Sequence, residues 1–162
     1  MSYQTDPSLP GYHFARVGDG NKAAIRTLTA FIEGFFFTVF VQGDDEIFEI
    51  AYDKGVSRDF RQNNNNTMLD FEGFKCAIRG IRAAYSDRRI IKQSVTPAPA
   101  DPTGATSTSA HIASFSGVNK RGDLVVIRVV AVGTAIFQPG KGPQLAMESI
   151  VITTDEPVDP SS

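Results

Sequence analysis

Two apolar runs near the end of the chain constrain its fold more than any other feature. Residues 124–137 read LVVIRVVAVGTAIF and residues 145–153 read LAMESIVIT, with a turn rich in proline and glycine between them. Side chains branched at Cβ pack well on a pleated sheet and are crowded in a helix, so the two runs predict a β-hairpin. The first run is apolar at nearly every position, which predicts a strand buried on both faces. Arg128 and Glu148 are the charged residues in these runs, and a charge inside a buried strand requires a partner or a hydrated cavity.

Size, charge and cysteine content limit the class of protein. A chain of 162 residues with 41% hydrophobic residues is long enough for one domain with a substantial core. Its formal net charge of −2 creates no field that attracts nucleic acid or anionic membranes, so we expect neither as a partner. One cysteine, Cys76, and two distant histidines, His13 and His111, do not form a metal-binding motif. We therefore predict no metal and no cofactor.

The ends of the chain differ from its centre. Residues 1–20 contain two prolines and three glycines without periodicity, which predicts an irregular arm, and residues 155–162 predict a disordered tail. No basic segment precedes an apolar core at the start, and the strongly apolar stretches, such as residues 35–41, are far shorter than a membrane span. We expect a single domain over residues 21–154 and a cytoplasmic location.

Three helical patterns and several strand patterns make up that domain. Apolar residues recur at helical spacing over residues 22–42, on a wide face rich in phenylalanine, and these rings either pack in the core or line a ligand cavity. A shorter helix is predicted over residues 46–54, capped by Asp44 or Asp45, and a third from residue 71 to about 85, capped by Asp70. Further strands are predicted over residues 56–62, 90–95 and 107–118.

This order of elements resembles the nuclear transport factor 2-like superfamily, and within it the SnoaL-like polyketide cyclases, scytalone dehydratase and ketosteroid isomerase. The resemblance covers residues 21–153. It rests on residues 44–54 leading into the strand at 56–60, on the segment Asp70-Phe71-Glu72-Gly73-Phe74 that opens the third helix, and on the terminal hairpin. It implies a cone-shaped α+β barrel, with three N-terminal helices packed on a strongly curved, mixed, mainly antiparallel sheet around a deep apolar cavity.

Strand parity selects candidate catalytic residues. If the last hairpin is centred near Lys141, Thr134 lies opposite Glu148 and Arg128 points to the same face, and the hairpin before it adds His111. An acid, a base and a fixed cation in an apolar setting can transfer protons beside a carbonyl group. Alternatively, Arg128 and Glu148 form an internal salt bridge or face a dimer partner, and His111 is a core histidine. Both interpretations are open on the sequence alone.

Other polar and aromatic residues extend the candidate site. Asp53 and Tyr52 lie at the end of the second helix, where they either reach the cavity mouth or simply end the helix. Tyr85 is a possible proton donor or a core aromatic residue. The predicted catalytic residues are His111, Glu148, Arg128 and Asp53. The predicted ligand contacts are Tyr52, Tyr85, Phe35, Phe115, Val130 and Ile150.

Two functions follow from the resemblance and this constellation. The first is a cofactor-independent isomerase or lyase, of cyclase or dehydratase type, acting in secondary metabolism on a hydrophobic polyketide- or terpenoid-like intermediate. The second is a noncatalytic module of the same fold for small-ligand binding or dimerisation. Because one layer of helices can cover only one face of the long apolar strands, we also predict a homodimer through the outer face of the sheet.

Overall fold

The computed structural model describes residues 19–99, 106–138 and 142–155. The predicted irregular arm lies outside these ranges except for residues 19 and 20, which begin the first helix, and the predicted tail lies outside them except for residue 155. Helix α1 spans Asp19–Phe36 and continues into a π-helical turn, Phe37–Val41; α2 spans Asp45–Gly55 and α3 spans Phe71–Ala84. The strands are β1 Val56–Asn64, β2 Thr67–Asp70, β3 Tyr85–Pro99, β4 Thr106–Asn119, β5 Leu124–Gln138 and β6 Gly142–Asp155. None of the helices described is long and apolar enough to span a membrane.

All six strands form one curved sheet in the order β2-β1-β6-β5-β4-β3. Neighbouring strands pair antiparallel except β1 and β6, which run parallel. The three helices pack against one face of this sheet, and the core lies between the two layers. The structure therefore confirms the predicted fold class, an α+β cone with a mixed, mainly antiparallel sheet.

Local sequence signals explain where the helices begin. The Asp44 side chain accepts hydrogen bonds from the backbone N–H groups of Glu46 and Ile47, at 2.8 and 3.1 Å, and thereby caps α2. Asp70 accepts from the N–H of Gly73 at 2.8 Å and caps α3 in the same way. Both caps agree with the sequence, and they fix where the two short helices join the sheet.

Two strand predictions need correction. The prediction that the first apolar run is buried on both faces is wrong: Val129 is buried, whereas Val130 and Val132 are 51% and 53% exposed, because the helices cover only the inner face. β3 is also longer than predicted and continues through Pro97 and Pro99. Proline is tolerated there because β3 is an edge strand of the described sheet, so a residue whose nitrogen faces the open side needs no N–H group for the ladder.

Candidate active site

A small cavity lies between α1 and the inner face of β4, β5 and β6. Its volume is about 30 Å³. Five phenylalanine rings line it: Phe31, Phe35, Phe36, Phe40 and Phe74. The sheet contributes polar groups from Ser109, His111 and Glu148, and the last two are the ionisable residues that line the cavity in the part of the chain that the structure describes.

The strand register places His111 and Glu148 on either side of β5. His111 on β4 pairs with Ala131, and Glu148 on β6 pairs with Gly133. Paired residues of antiparallel strands share a face, so both side chains project to the inner face. The intervening residues of β5 on that face are alanine and glycine, and their small size leaves space between the two polar groups. A Cβ atom at Gly133 would lie 3.3 Å from the Leu145 side chain and 3.7 Å from Cγ of Glu148.

The predicted register of the last hairpin was wrong by one residue. Ala135 pairs with Leu145, but Thr134 pairs with Met147, so Ala146 is an extra residue in β6. Such a β-bulge exchanges the faces of all residues beyond it relative to a regular ladder. The bulge thereby places Glu148 beside Gly133, on the inner face. Arg128 lies between the buried residues Ile127 and Val129 of β5, so it projects to the outer face, where its guanidinium group pairs with Asp155 and the side chain is 53% exposed. The prediction that Arg128 shares the face of Glu148 is wrong.

Glu148 has a buried partner that the sequence does not predict. Gln62 on β1 lies beside Glu148 in the parallel pairing of β1 and β6. Its Nε2 donates a hydrogen bond to Oε2 of Glu148 at 2.6 Å. Burial raises the pKa of Glu148 from 4.5 to about 7, and the hydrogen bond from Gln62 opposes part of that rise. The carboxyl group therefore exists in both protonation states near neutral pH.

His111 is the second ionisable group of the cavity. Its imidazole is buried, and burial lowers its pKa from 6.5 to about 4. The ring is edge-on to Phe36, with 4.8 Å between ring centroids, and its Nε2 lies 3.2 Å from Nε2 of Gln93. At neutral pH the ring is uncharged, with one nitrogen that donates a hydrogen bond and one that accepts.

Asp53 and Tyr52 do not reach the cavity, because the end of α2 faces α3 rather than the inner sheet. Asp53 accepts a hydrogen bond from Nζ of Lys75 at 2.8 Å, and Lys75 also pairs with Glu49 at 2.7 Å. The Tyr52 hydroxyl donates to the carbonyl oxygen of Phe71 at 2.7 Å within the core. Asp53 and Tyr52 therefore link α2 to α3 through these hydrogen bonds. The structure does not support their predicted roles in the site.

The other predicted ligand contacts divide into two groups. Phe35 and Ile150 line the cavity. Phe115 instead packs in the core, with its ring centroid 5.8 Å from that of Phe36, and Val130 lies on the outer face. Tyr85 lines a separate, open groove of about 720 Å³ between α2 and α3. Phe115, Val130 and Tyr85 are therefore not part of the cavity of His111 and Glu148.

No protein-family model and no curated protein matches this chain. Solved structures do match. The hexachlorocyclohexane dehydrochlorinase LinA-type3 of Novosphingobium barchaimii superposes with a TM-score of 0.67 at 8% identity, over 87% of this chain and 94% of that one. A scytalone dehydratase-like protein of Novosphingobium aromaticivorans gives 0.62 at 9% identity, over 86% and 91%. A nuclear transport factor 2-like superfamily protein of Salmonella enterica gives 0.62 at 10%, over 87% and 97%.

The chain has the nuclear transport factor 2-like fold. At these identities the similarity establishes the fold alone. Within this nuclear transport factor 2-like cone, the cavity of His111 and Glu148 lies between α1 and the inner face of the sheet, in the layer that also holds the core.

Proposed function

We propose that the protein is a cofactor-independent isomerase or lyase, of cyclase or dehydratase type, that acts on a hydrophobic polyketide- or terpenoid-like molecule. The observation that carries the proposal is Glu148. Its carboxyl group has a pKa of about 7 in a cavity lined by phenylalanine, with His111 on the same face. A group whose pKa matches the working pH is suited both to accept and to return a proton. The dehydrochlorinase and the dehydratase-like protein among the structural neighbours support this class of chemistry.

The two ionisable residues have different roles in this proposal. The Glu148 carboxylate removes a proton from a carbon atom next to a carbonyl group, and the electron pair moves onto the carbonyl oxygen. The neutral His111 ring donates a hydrogen bond to that oxygen; its pKa of about 4 makes it a weak base but leaves it an N–H donor at neutral pH. Glu148 then returns the proton to another carbon in an isomerisation, or to a departing hydroxide in an elimination.

Substrate binding requires the cavity to enlarge. A volume of about 30 Å³ holds one or two water molecules, whereas pockets for small molecules span roughly 300–1,000 Å³. Phe31 and Phe35, half-buried rings of α1 with centroids 5.7 Å apart, line the cavity and lie against Gly55 at the end of α2. We infer that displacement of these two rings admits the substrate.

Exchange of hydrogen for deuterium tests the chemistry with simple carbonyl compounds in place of the natural substrate. The protein is incubated in D₂O with a panel of hydrophobic ketones and β-hydroxyketones, and mass spectrometry measures deuterium incorporation next to the carbonyl group. We expect Glu148→Gln and His111→Ala to slow exchange by a factor on the order of 10²–10⁴, the usual contribution of a positioned acid or base.

Arg128→Met is the matched control, because Arg128 lies on the outer face and should not affect exchange. Exchange that persists in Glu148→Gln would rule out Glu148 as the base. Binding of panel members without any exchange by the wild-type protein would favour the noncatalytic alternative.

That second candidate is a ligand-binding or dimerisation module. The observation that favours it is the outer face of β4, β5 and β6, where several large apolar side chains are more than half exposed. They are Ile112, Val130, Val132, Met147 and Val151. An exposed apolar patch on this scale is typical of an interaction surface.

A further inference from the structure

We propose that Gln62 is a positioning residue that holds the carboxyl group of Glu148 in both of its protonation states, by turning its side-chain amide over when the proton arrives or leaves. This role rests on the proposed function of Glu148 as the group that accepts and returns the proton.

The geometry of β1 and β6 brings the two side chains together. Gln62 is completely buried and lies directly beside Glu148 in the parallel ladder. One end of its amide, Nε2, is 2.6 Å from Oε2 of Glu148. The other end, Oε1, is buried and has no hydrogen-bond partner in the described part of the chain. A buried acceptor without a partner is costly, so such an atom in a well-packed site calls for a function.

The Gln62 amide can form a hydrogen bond with either form of the carboxyl group, because its NH₂ donor and its carbonyl acceptor have nearly the same size and can exchange places. An ionised carboxylate only accepts hydrogen bonds, and the NH₂ end of Gln62 donates to it. A protonated carboxyl group must donate its O–H, and rotation of the amide by 180° places Oε1 at the same position to accept it. The distance of 2.6 Å also suits an O–H···O bond, which is shorter than the usual N–H···O bond.

A charged residue at position 62 would favour one of the two states. An arginine or lysine would hold the carboxylate and keep it ionised, and a second carboxylate would keep one member of the pair protonated. In the described part of the cavity no cation competes for Glu148. The other ionisable lining residue is His111 on β4, and α1 presents phenylalanine rings. Gln62 therefore keeps the carboxyl group in place without fixing its charge.

Nuclear magnetic resonance on the ligand-free protein tests the proposal. Glutamate and glutamine side chains are labelled with ¹³C and ¹⁵N, and Glu148→Gln and Gln62→Met assign the two resonances. During a pH titration we expect the side-chain amide signals of Gln62 to shift with the same midpoint as the carboxyl carbon of Glu148. In Glu148→Gln this shift of the Gln62 signals should disappear.

The variant Gln62→Met keeps the length of the side chain and removes the amide. We expect it to raise the midpoint of Glu148 by about one pH unit, because the carboxylate loses a charge-assisted hydrogen bond and the acid loses only a weaker, neutral one. Gln144→Met is the matched control: Gln144 is also buried in the sheet, but its amide donates to the carbonyl oxygen of Lys54 at 2.9 Å. It should leave the Glu148 midpoint unchanged.

The proposal is overturned if the side-chain amide signals of Gln62 do not shift with the Glu148 midpoint. It is also overturned if Glu148 titrates with the wild-type midpoint in Gln62→Met. These measurements need no substrate. If the Gln62 and Glu148 signals titrate together but the protein catalyses no deuterium exchange, the proposed function alone is refuted. If the protein catalyses exchange but the two signals do not titrate together, the role of Gln62 alone is refuted.

Discussion

At the scale of single residues, the cavity holds two groups whose pKa values burial moves in opposite directions. The folded protein raises the pKa of Glu148 from 4.5 to about 7, so between these values the native state binds a proton that the unfolded state does not. The folded protein lowers the pKa of His111 from 6.5 to about 4, so between those values the unfolded state binds the extra proton. The contribution of Glu148 to the free energy of unfolding is therefore lost as the pH rises from 4.5 to 7. The contribution of His111 is lost as the pH falls from 6.5 to 4.

These two contributions nearly cancel between about pH 4.5 and 6.5, and single variants should reveal them. We expect the free energy of unfolding of Glu148→Gln to decrease on acidification across this window, by up to about 1.4 kcal/mol per pH unit, because only the His111 contribution remains. His111→Ala should show the opposite slope. Urea unfolding at pH 4.5, 5.5, 6.5 and 7.5 measures both. Arg128→Met is the control, and its free energy of unfolding should change with pH as in the wild-type protein. The same pH dependence as the wild type in all three variants would show that Glu148 and His111 are not buried as described.

At the scale of helices and strands, the parts of the fold that depend on local chemistry could be predicted from the sequence. Asp44 and Asp70 cap helices through bonds to residues two or three positions away, and a single sequence contains that information. The site required nonlocal information. The extra residue at Ala146 reverses which face Glu148 occupies relative to Arg128, and no turn residue signals it. Gln62 lies two residues after the buried Phe60 on the same face, but its contact with Glu148 depends on a parallel pairing across 86 positions of the chain.

The contact between α1 and the end of α2 yields a prediction about the cavity wall. A Cβ atom at Gly55 would lie 2.7 Å from Cδ2 and 2.8 Å from Cε2 of Phe35, so Gly55→Ala must displace that ring. We expect a loss of roughly 1–3 kcal/mol in the free energy of unfolding, the usual cost of overpacking. Because Phe35 lines the cavity, the binding of a hydrophobic fluorescent probe should change as well.

Gly80→Ala in α3 is the matched control, since nothing lies within 4 Å of its added Cβ atom. There the higher helix propensity of alanine should increase the free energy of unfolding by roughly 0.5–1 kcal/mol. Equal effects of the two substitutions would show that Phe35 does not rest on Gly55 in solution.

At the scale of the whole molecule, the two faces of the sheet have different surroundings. The helices cover the inner face and the cavity, whereas the outer face carries a row of apolar residues across three strands. Ile112 pairs with Val130, and Val130 pairs with Val151, and each of these side chains is more than half exposed. The edge strand β3 carries Pro97 and Pro99, which hinder edge-to-edge pairing with another sheet. The apolar row makes the outer face the surface through which we expect two copies to associate.

We propose that this face forms a homodimer, and Val130→Glu tests it. Val130 lies in the middle of the row, so a carboxylate there would have to be desolvated in an interface between two copies. Sedimentation should show a dimer for the wild-type protein at micromolar concentration and a monomer for Val130→Glu, with unchanged circular dichroism because the site is exposed in the single chain. Ile50→Glu, at an apolar residue of α2 that is 49% exposed, should remain dimeric. A wild-type monomer at this concentration would refute the dimer, and a dimeric Val130→Glu would place the interface on another surface.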